Sequence, residues 1–152
     1  MSRENATTHA SAVLVGARAV LIRGPSGAGK SRLAMALIHD GTRDLLPFAR
    51  LVADDRAVLE AHNGCLLVRP APQIAGLIEV RGLGIRRMAF EPVAAIGLVV
   101  DLSAADAERL PAEGARQTVI SGVGLPRLAV AAGVDPVPLV LAQLTSNPMA
   151  GG

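Results

Sequence analysis

The segment Gly24-Pro25-Ser26-Gly27-Ala28-Gly29-Lys30-Ser31 carries the complete Gly-x-x-x-x-Gly-Lys-Ser pattern of a phosphate-binding loop. The apolar run Ala19-Val20-Leu21-Ile22 just before it predicts a strand. Behind it, apolar residues repeat at i,i+4, which predicts an amphipathic helix that ends near Asp40-Gly41. This phosphate-binding pattern normally lies between a strand and a helix, so we expect an α/β nucleotide-binding domain of the P-loop type.

The residue types in this segment fit the binding of a polyphosphate. Glycines let the backbone curl so that N–H groups point at phosphate oxygens, and the start of a helix adds partial positive charge. We expect Lys30 to reach the β- and γ-phosphates and the Ser31 hydroxyl to coordinate Mg²⁺. Of the 15 lysines and arginines, only Lys30 is a lysine, as a site that needs a compact ammonium would require. The predicted nucleotide-binding residues are Gly24, Pro25, Ser26, Gly27, Ala28, Gly29, Lys30 and Ser31.

Length and composition limit the remaining possibilities. The chain has 152 residues, which fits a single domain over 1–152 with flexible tails at 1–8 and 146–152. No apolar run approaches the ~20 residues of a membrane span, and the polar N-terminus is unlike a secretory signal. The lone Cys65 predicts a reducing, cytoplasmic setting. Aromatic residues make up 1% of the chain, which argues against nucleic acid as a partner because bases stack on aromatic side chains.

The pattern along the chain predicts many short strands, and hence a mixed β-sheet. We expect a hairpin from 57–61 and 65–69 with Asn63-Gly64 in its turn, and a tight functional loop at 81–85. Residues 77–80 fit either a strand or the end of a short helix, and 104–110 fit a helix. Further strands are predicted at 13–15, 51–53, 93–102, 118–120 and 125–130, and a last helix at 138–144.

Acidic residues at predicted strand ends are candidates for metal binding and proton transfer. Asp54-Asp55 follows the strand Leu51-Val52-Ala53, and two adjacent carboxylates before an arginine are more than a turn needs. Asp101 ends an apolar run and is either a metal ligand or a turn residue. Glu79 is a weaker candidate by itself, and His9 alone reads as a solvated terminal residue.

Several of these pieces together resemble the HPr kinase/phosphorylase family. They are His9, the segment 23–31, Leu51-Val52-Ala53-Asp54-Asp55, and Ile78-Glu79-Val80-Arg81-Gly82-Leu83-Gly84-Ile85, in the family's order. The resemblance covers roughly residues 9 to 102 and implies the HPr kinase/PEP carboxykinase-like fold. It also implies ATP and Mg²⁺ as cofactors, an HPr-type phosphocarrier protein as substrate, and a hexameric homo-oligomer.

The resemblance also implies a role for each matching residue. His9 would line the active site, and Asp55 would take the proton of the acceptor serine and return it in phosphorolysis. Ser31 and Glu79 would hold magnesium, and Asp54 would support the same cluster. Arg127 is matched to the late catalytic arginine of the family.

This sequence departs from the family pattern in three places. Arg32 stands where the family has an acidic residue, the connection 40–50 is longer, and the C-terminal segment tied to phosphorolysis is short or absent. Kinase activity is therefore the safer inference.

Two other functions remain open. One is a different P-loop enzyme, such as a small-molecule kinase. A GTPase is excluded because Lys30, the single lysine, cannot also supply an Asn-Lys-x-Asp motif. The other is a non-catalytic nucleotide sensor that regulates a partner protein.

Overall fold

The computed structural model of the chain describes residues 7–43 and 46–146. Its first strands are β1 (Thr7–Thr8), β2 (Ala10–Val15) and β3 (Arg18–Arg23), followed by helix α1 (Lys30–Thr42) and strand β4 (Ala49–Ala53). Next come strands β5 (Ala57–His62), β6 (Cys65–Pro70), β7 (Leu77–Val80), β8 (Gly84–Arg87) and β9 (Ala94–Leu102). The last elements are β10 (Gln117–Ile120), β11 (Val123–Val130) and helix α2 (Pro136–Thr145). Short 3₁₀ turns lie at Pro72–Ile74 and Glu113–Arg116.

The described strands form a mixed sheet built around β9. The strand order is β1-β5-β6-β9-β3-β2-β4, with β11 also beside β9 and β10 beside β11. β9 runs parallel to β3 and to β11 and antiparallel to β6. Because β3 and β9 are parallel and Arg23 pairs with Asp101, the end of β9 lies beside the point where the phosphate-binding segment begins. β7 and β8 form a separate antiparallel hairpin.

Alternating side chains of the sheet bury two apolar clusters on its opposite faces. On one face, Val20 and Ile22 of β3 pack with Leu33 and Leu37 of α1. On the other face, Leu21 packs in the second cluster, with residues such as Leu66. The i,i+4 stripe of α1 therefore packs against the strand that precedes the phosphate-binding segment, and this packing fixes the segment between them.

Local sequence explains where several elements begin and turn. Asn63 and Gly64 both have positive φ, of 49° and 79°, as the tight turn of a β5–β6 hairpin requires. Asp135 accepts a hydrogen bond from the N–H of Val137 at 3.1 Å, and Pro136 occupies the first turn, so α2 begins there. The predicted hairpin, the strands flanking α1, helix α1 itself and the last predicted helix are confirmed.

The helix predicted at 104–110 is wrong. Those residues form turns: the N–H of Ala104 donates to the carbonyl of Val130, and that of Ala107 donates to the carbonyl of Ala104. Seven residues are too few for a stable helix without a buried face, and attachment to β11 prevails instead.

Two other details differ from the expectation. Within the expected loop 81–85, Gly84 and Ile85 belong to strand β8. Thr7 and Thr8, the last two residues of the expected tail 1–8, pair with β5. Residues 1–6 and 147–152 of the predicted tails lie outside the described residues. No described helix has the length and apolar character that crossing a membrane would need.

Candidate active site

The phosphate-binding segment forms an open loop between β3 and α1. Gly27 and Gly29 have φ of 82° and 100°, a conformation that favours glycine. A Cβ atom added at either position would meet nothing within 4 Å, so space lies open above this part of the loop. Gly24, in contrast, packs closely, because its added Cβ would lie 3.0 Å from that of Leu102. The loop thus has a packed base and an open upper side that fits phosphate groups.

Lys30 folds back over this loop from the first position of α1. Its Nζ donates to the carbonyl oxygens of Gly24, at 2.9 Å, and Pro25, at 3.2 Å. The residue is only 7% exposed, so its ammonium is shielded from bulk water and its charge acts strongly on a nearby anion. An ammonium held by neutral carbonyls beside open space can turn to phosphate oxygens, which accept stronger, charge-assisted hydrogen bonds.

Asp54 joins the phosphate-binding loop to two other parts of the chain. Its Oδ1 accepts hydrogen bonds from the hydroxyls of Ser31, at 2.6 Å, and Ser11, at 2.9 Å. Its Oδ2 accepts the backbone N–H of Glu79 at 3.0 Å. The residue is 6% exposed, so these three donors replace the water that a carboxylate requires. The sequence analysis missed Ser11, because a single serine in an apolar strand gives no signal of its own.

Asp55, the next residue, points the other way. Its side chain is 61% exposed, and its Oδ1 lies 3.9 Å from Nδ1 of His9, whose side chain is also exposed. Its φ of 65° is unusual for a residue other than glycine, and backbone strain of this kind concentrates at functional sites. The two adjacent aspartates therefore have different environments. Asp54 holds the local structure together, and Asp55 presents a carboxylate to solvent.

A cleft of about 1020 Å³ opens beside these residues. Asp54, Asp55 and Glu79 line it, together with Arg56 and Arg69. The rest of its lining is largely apolar and includes Pro70, Ala71, Pro72, Ile74, Leu77 and Ile85. A cleft of this size, with the exposed carboxylate of Asp55 in its lining, can take a segment of another protein as well as a small molecule.

The oxygen atoms near Ser31 are suitable ligands for a magnesium ion. A serine hydroxyl and carboxylate oxygens are ligands that Mg²⁺ prefers, and Mg²⁺ usually binds one or two carboxylates together with substrate phosphates. Within residues 7–43 and 46–146, no group of three or more histidine, cysteine, aspartate or glutamate side chains is arranged to hold a metal. An ion bound here would thus draw its remaining ligands from water and phosphate.

Asp101 and Arg127 belong to a separate ionic network. Asp101 accepts from Nε and Nη2 of Arg23, at 2.7 and 2.8 Å, and from Nε of Arg127 at 2.6 Å. Arg127 also donates to both oxygens of Asp106, at 2.7 and 3.0 Å, and to the carbonyl of Ala115. Asp101, open in the sequence between metal ligand and turn residue, is thus the partner of two arginines.

The charges of this network shift the pKa values of its members. Burial by itself raises the pKa of Asp101, but hydrogen bonds and charge attraction from Arg23 and Arg127 together lower that pKa below its ordinary value. Hydrogen bonds to Asp106 and Asp101 raise the pKa of Arg127. The pKa of the exposed Asp106 is lowered, chiefly by its hydrogen bonds from Arg127. The network stays charged at neutral pH and braces the residue that precedes Gly24.

The structure therefore sorts the predicted site residues into groups. Asp54 contacts the Ser31 hydroxyl and the backbone N–H of Glu79, and Lys30 lies beside Ser31 on α1. Asp55 lines the cleft, and His9 lies beside it, with its Nδ1 3.9 Å from the Asp55 carboxylate. Arg127 is instead engaged with Asp101 and Asp106, and its catalytic role stays a prediction.

A phosphate-binding loop between a strand and a helix in a mixed sheet defines a P-loop α/β domain. Over residues 2–137 the sequence matches the family described as HPr Serine kinase C-terminal domain, and the chain belongs to that family. The fold class and the family predicted from the motifs are confirmed.

Individual relatives agree with this assignment. The chain is 37% identical over 123 residues to the HPr kinase/phosphorylase of Geobacillus thermodenitrificans, covering 73% of this chain and 37% of that protein. It is 38% identical over 123 residues to the protein of that name from Limosilactobacillus reuteri, covering 73% and 36%. The chain thus spans little more than a third of the length of these relatives.

A solved structure is also similar, that of the Hpr(Ser) kinase/phosphatase from Coxiella burnetii. It matches with a TM-score of 0.69 and 27% sequence identity, and the match covers 91% of this chain and 93% of that chain. The likeness therefore extends over nearly the whole fold.

Proposed function

We propose that this chain is an ATP-dependent serine kinase that phosphorylates an HPr-type phosphocarrier protein of a phosphotransferase system. The observation that carries the proposal is the set of hydrogen bonds around Asp54, which joins Ser31 of the phosphate-binding loop to the backbone of Glu79. The exposed Asp55 is the next residue in the chain. Phosphate-binding and proton-accepting groups thereby border one region, as phosphoryl transfer to a hydroxyl requires. The names of the relatives support the identity of the acceptor.

In the proposed mechanism, the loop and Lys30 bind the phosphates of ATP. Ser31 and Glu79 would hold Mg²⁺, and Asp54 would support these two residues. Magnesium, when bound, would neutralise charge on the phosphate oxygens. Asp55 accepts the proton of the serine hydroxyl as the serine oxygen bonds to the γ-phosphorus and the bond to the β,γ-bridging oxygen breaks. His9, at the side of Asp55, helps to orient that carboxylate.

Phosphorolysis is the second, finer part of the proposal. Phosphate would attack the phosphoserine, pyrophosphate would form, and Asp55 would return its proton to the serine oxygen. Arg127, which shares Asp101 with Arg23, would act on the transferred phosphoryl group. The proposal also includes a cytoplasmic setting and a hexameric homo-oligomer. Light scattering of the purified protein tests the oligomeric state.

Transfer of label from γ-labelled ATP with Mg²⁺ to a purified HPr-type carrier tests the function directly. We expect label on one serine of the carrier, identified by mass spectrometry, and none on a carrier variant with alanine at that serine. Nucleotide binding that depends on Lys30, without transfer to the carrier, would refute the kinase and favour a nucleotide sensor. Transfer to a small molecule instead would favour a small-molecule kinase.

A further inference from the structure

Ser11 lies on β2 at a place where the structure has little reason to keep a hydroxyl. Its exposed fraction is 0%, and the strand around it is apolar. In the described part of the chain, the polar or charged residues that are buried are Ser11, Lys30 and Asp54. The other two belong to the proposed active site, so the third polar group is expected to serve the same site.

The Ser11 hydroxyl bridges the two adjacent aspartates. It donates to Oδ1 of Asp54 at 2.9 Å and accepts the backbone N–H of Asp55 at 3.1 Å. A serine hydroxyl has one proton to donate and lone pairs to accept, so one group serves both residues at once. The register between β2 and β4 shifts next to Ala12, which pairs with Ala53. Ser11 therefore lies level with the end of β4, where the aspartates follow.

Both contacts act on features that the proposed reaction needs. The bond to the N–H of Asp55 holds a residue whose φ is 65°, a conformation that costs free energy unless neighbours maintain it. The bond to Asp54 shares its Oδ1 with the Ser31 hydroxyl. With the Ser31 proton directed at Asp54, the lone pairs of that hydroxyl oxygen are left for a metal ion.

We propose that Ser11 is a positioning residue, which fixes Asp55 for proton transfer and, through Asp54, fixes Ser31 for magnesium binding. The part about Asp55 rests on the proposed kinase function. The part about Ser31 requires only that the protein binds a nucleotide with Mg²⁺.

The test compares Ser11→Ala and the nearly isosteric Ser11→Cys with Ser11→Thr, which keeps the hydroxyl. Loss of such supporting groups typically reduces metal affinity or activity by about 10–100-fold. For Ser11→Ala we expect kcat for the carrier to fall at least about 10-fold with KM nearly unchanged. We expect the Mg²⁺ concentration for half-maximal binding of a fluorescent ATP analogue to rise several-fold, while binding without Mg²⁺ stays the same. Ser11→Thr should restore both values towards the wild type.

Val13→Ala is the matched control, because Val13 is also fully buried on β2 and packs in the cluster around α1 rather than near the aspartates. This variant should lower the melting temperature without changing kcat or the Mg²⁺ dependence. Unchanged kcat and Mg²⁺ dependence in Ser11→Ala and Ser11→Cys would overturn the proposal, as would losses that Val13→Ala shares. If the wild type labelled no carrier, the kinase would be refuted, and the Mg²⁺ dependence of nucleotide binding would still decide the role of Ser11.

Discussion

The substitution Asp101→Asn should destabilise the protein markedly, because it removes the charge that holds two arginines together. Oδ1 accepts one hydrogen bond from Arg23, and Oδ2 accepts one from Arg23 and one from Arg127. Whichever oxygen the amide nitrogen replaces, an N–H group then faces an N–H group of an arginine. The Asp101 side chain is 15% exposed, so water can replace only part of what is lost.

The expected magnitude follows from these contacts. A hydrogen bond to a charged group contributes about 1.5–3 kcal/mol, and partial exposure of Arg23 reduces the sum of three such bonds. We therefore expect a loss of about 2–4 kcal/mol in the free energy of unfolding at pH 7. For a chain of this length that corresponds to a fall of roughly 5–15 °C in melting temperature.

The loss should depend on pH in a defined direction. The pKa of Asp101 in the folded protein lies below its ordinary value of 3.8. Its stabilising contribution is thus present above pH 3.8 and is lost as the pH falls through the lower, folded-state pKa. The difference in free energy of unfolding between wild type and Asp101→Asn should shrink as the pH falls through the folded-state pKa of Asp101.

Urea unfolding of both proteins at pH 7 and near pH 3 measures this prediction. Asp106→Asn is the control, because Asp106 binds the same Arg127 but is exposed, and its effect should be much smaller. A loss below about 1 kcal/mol for Asp101→Asn, or one equal to that of Asp106→Asn, would refute the reasoning.

Two further predictions concern the phosphate-binding loop and the core beneath it. Lys30→Met should weaken ATP binding strongly and leave the fold intact, because the buried ammonium that it removes donates to neutral carbonyls of the loop. Fluorescence titration measures the ATP affinity, and circular dichroism checks the fold. Retained ATP affinity would show that Lys30 does not contact the phosphates. Leu37→Ala should cost about 2–5 kcal/mol in urea unfolding, because Leu37 is 0% exposed between α1 and the sheet. A change below about 1 kcal/mol would mean that the helix packs elsewhere.

The sequence was sufficient where a local pattern determines the structure. The glycine-lysine pattern of 24–31 and the apolar stripe that follows predicted the loop and α1, and Asn63-Gly64 predicted its hairpin. Sequence patterns predicted the wrong structure where contacts with residues distant in the chain determine it. At 104–110, local helical preference was overridden by attachment to β11.

The same limit applies to the candidate site. Ser11 meets Asp54 across 43 positions, and Asp101 meets Arg23 across 78, and no spacing rule connects such pairs. The motifs located Asp54, Asp55 and Glu79, but only the structure shows that Asp54 is buried among donors while Asp55 is exposed. The family resemblance gave the two aspartates different roles, but two adjacent aspartates do not by themselves show which one is buried.

The most direct test of the central claim is the rate of phosphoserine formation on an HPr-type carrier by Asp55→Asn, with ATP affinity measured in parallel. Glu108→Gln, at an exposed acid outside the cleft lining, is the control. General-base catalysis contributes about 10²–10⁴-fold, so we predict a loss of at least about 100-fold in rate with ATP affinity unchanged. The control should behave as the wild type. Wild-type rates in Asp55→Asn would contradict the account, because the proton would then leave the serine without the carboxylate that the fold exposes.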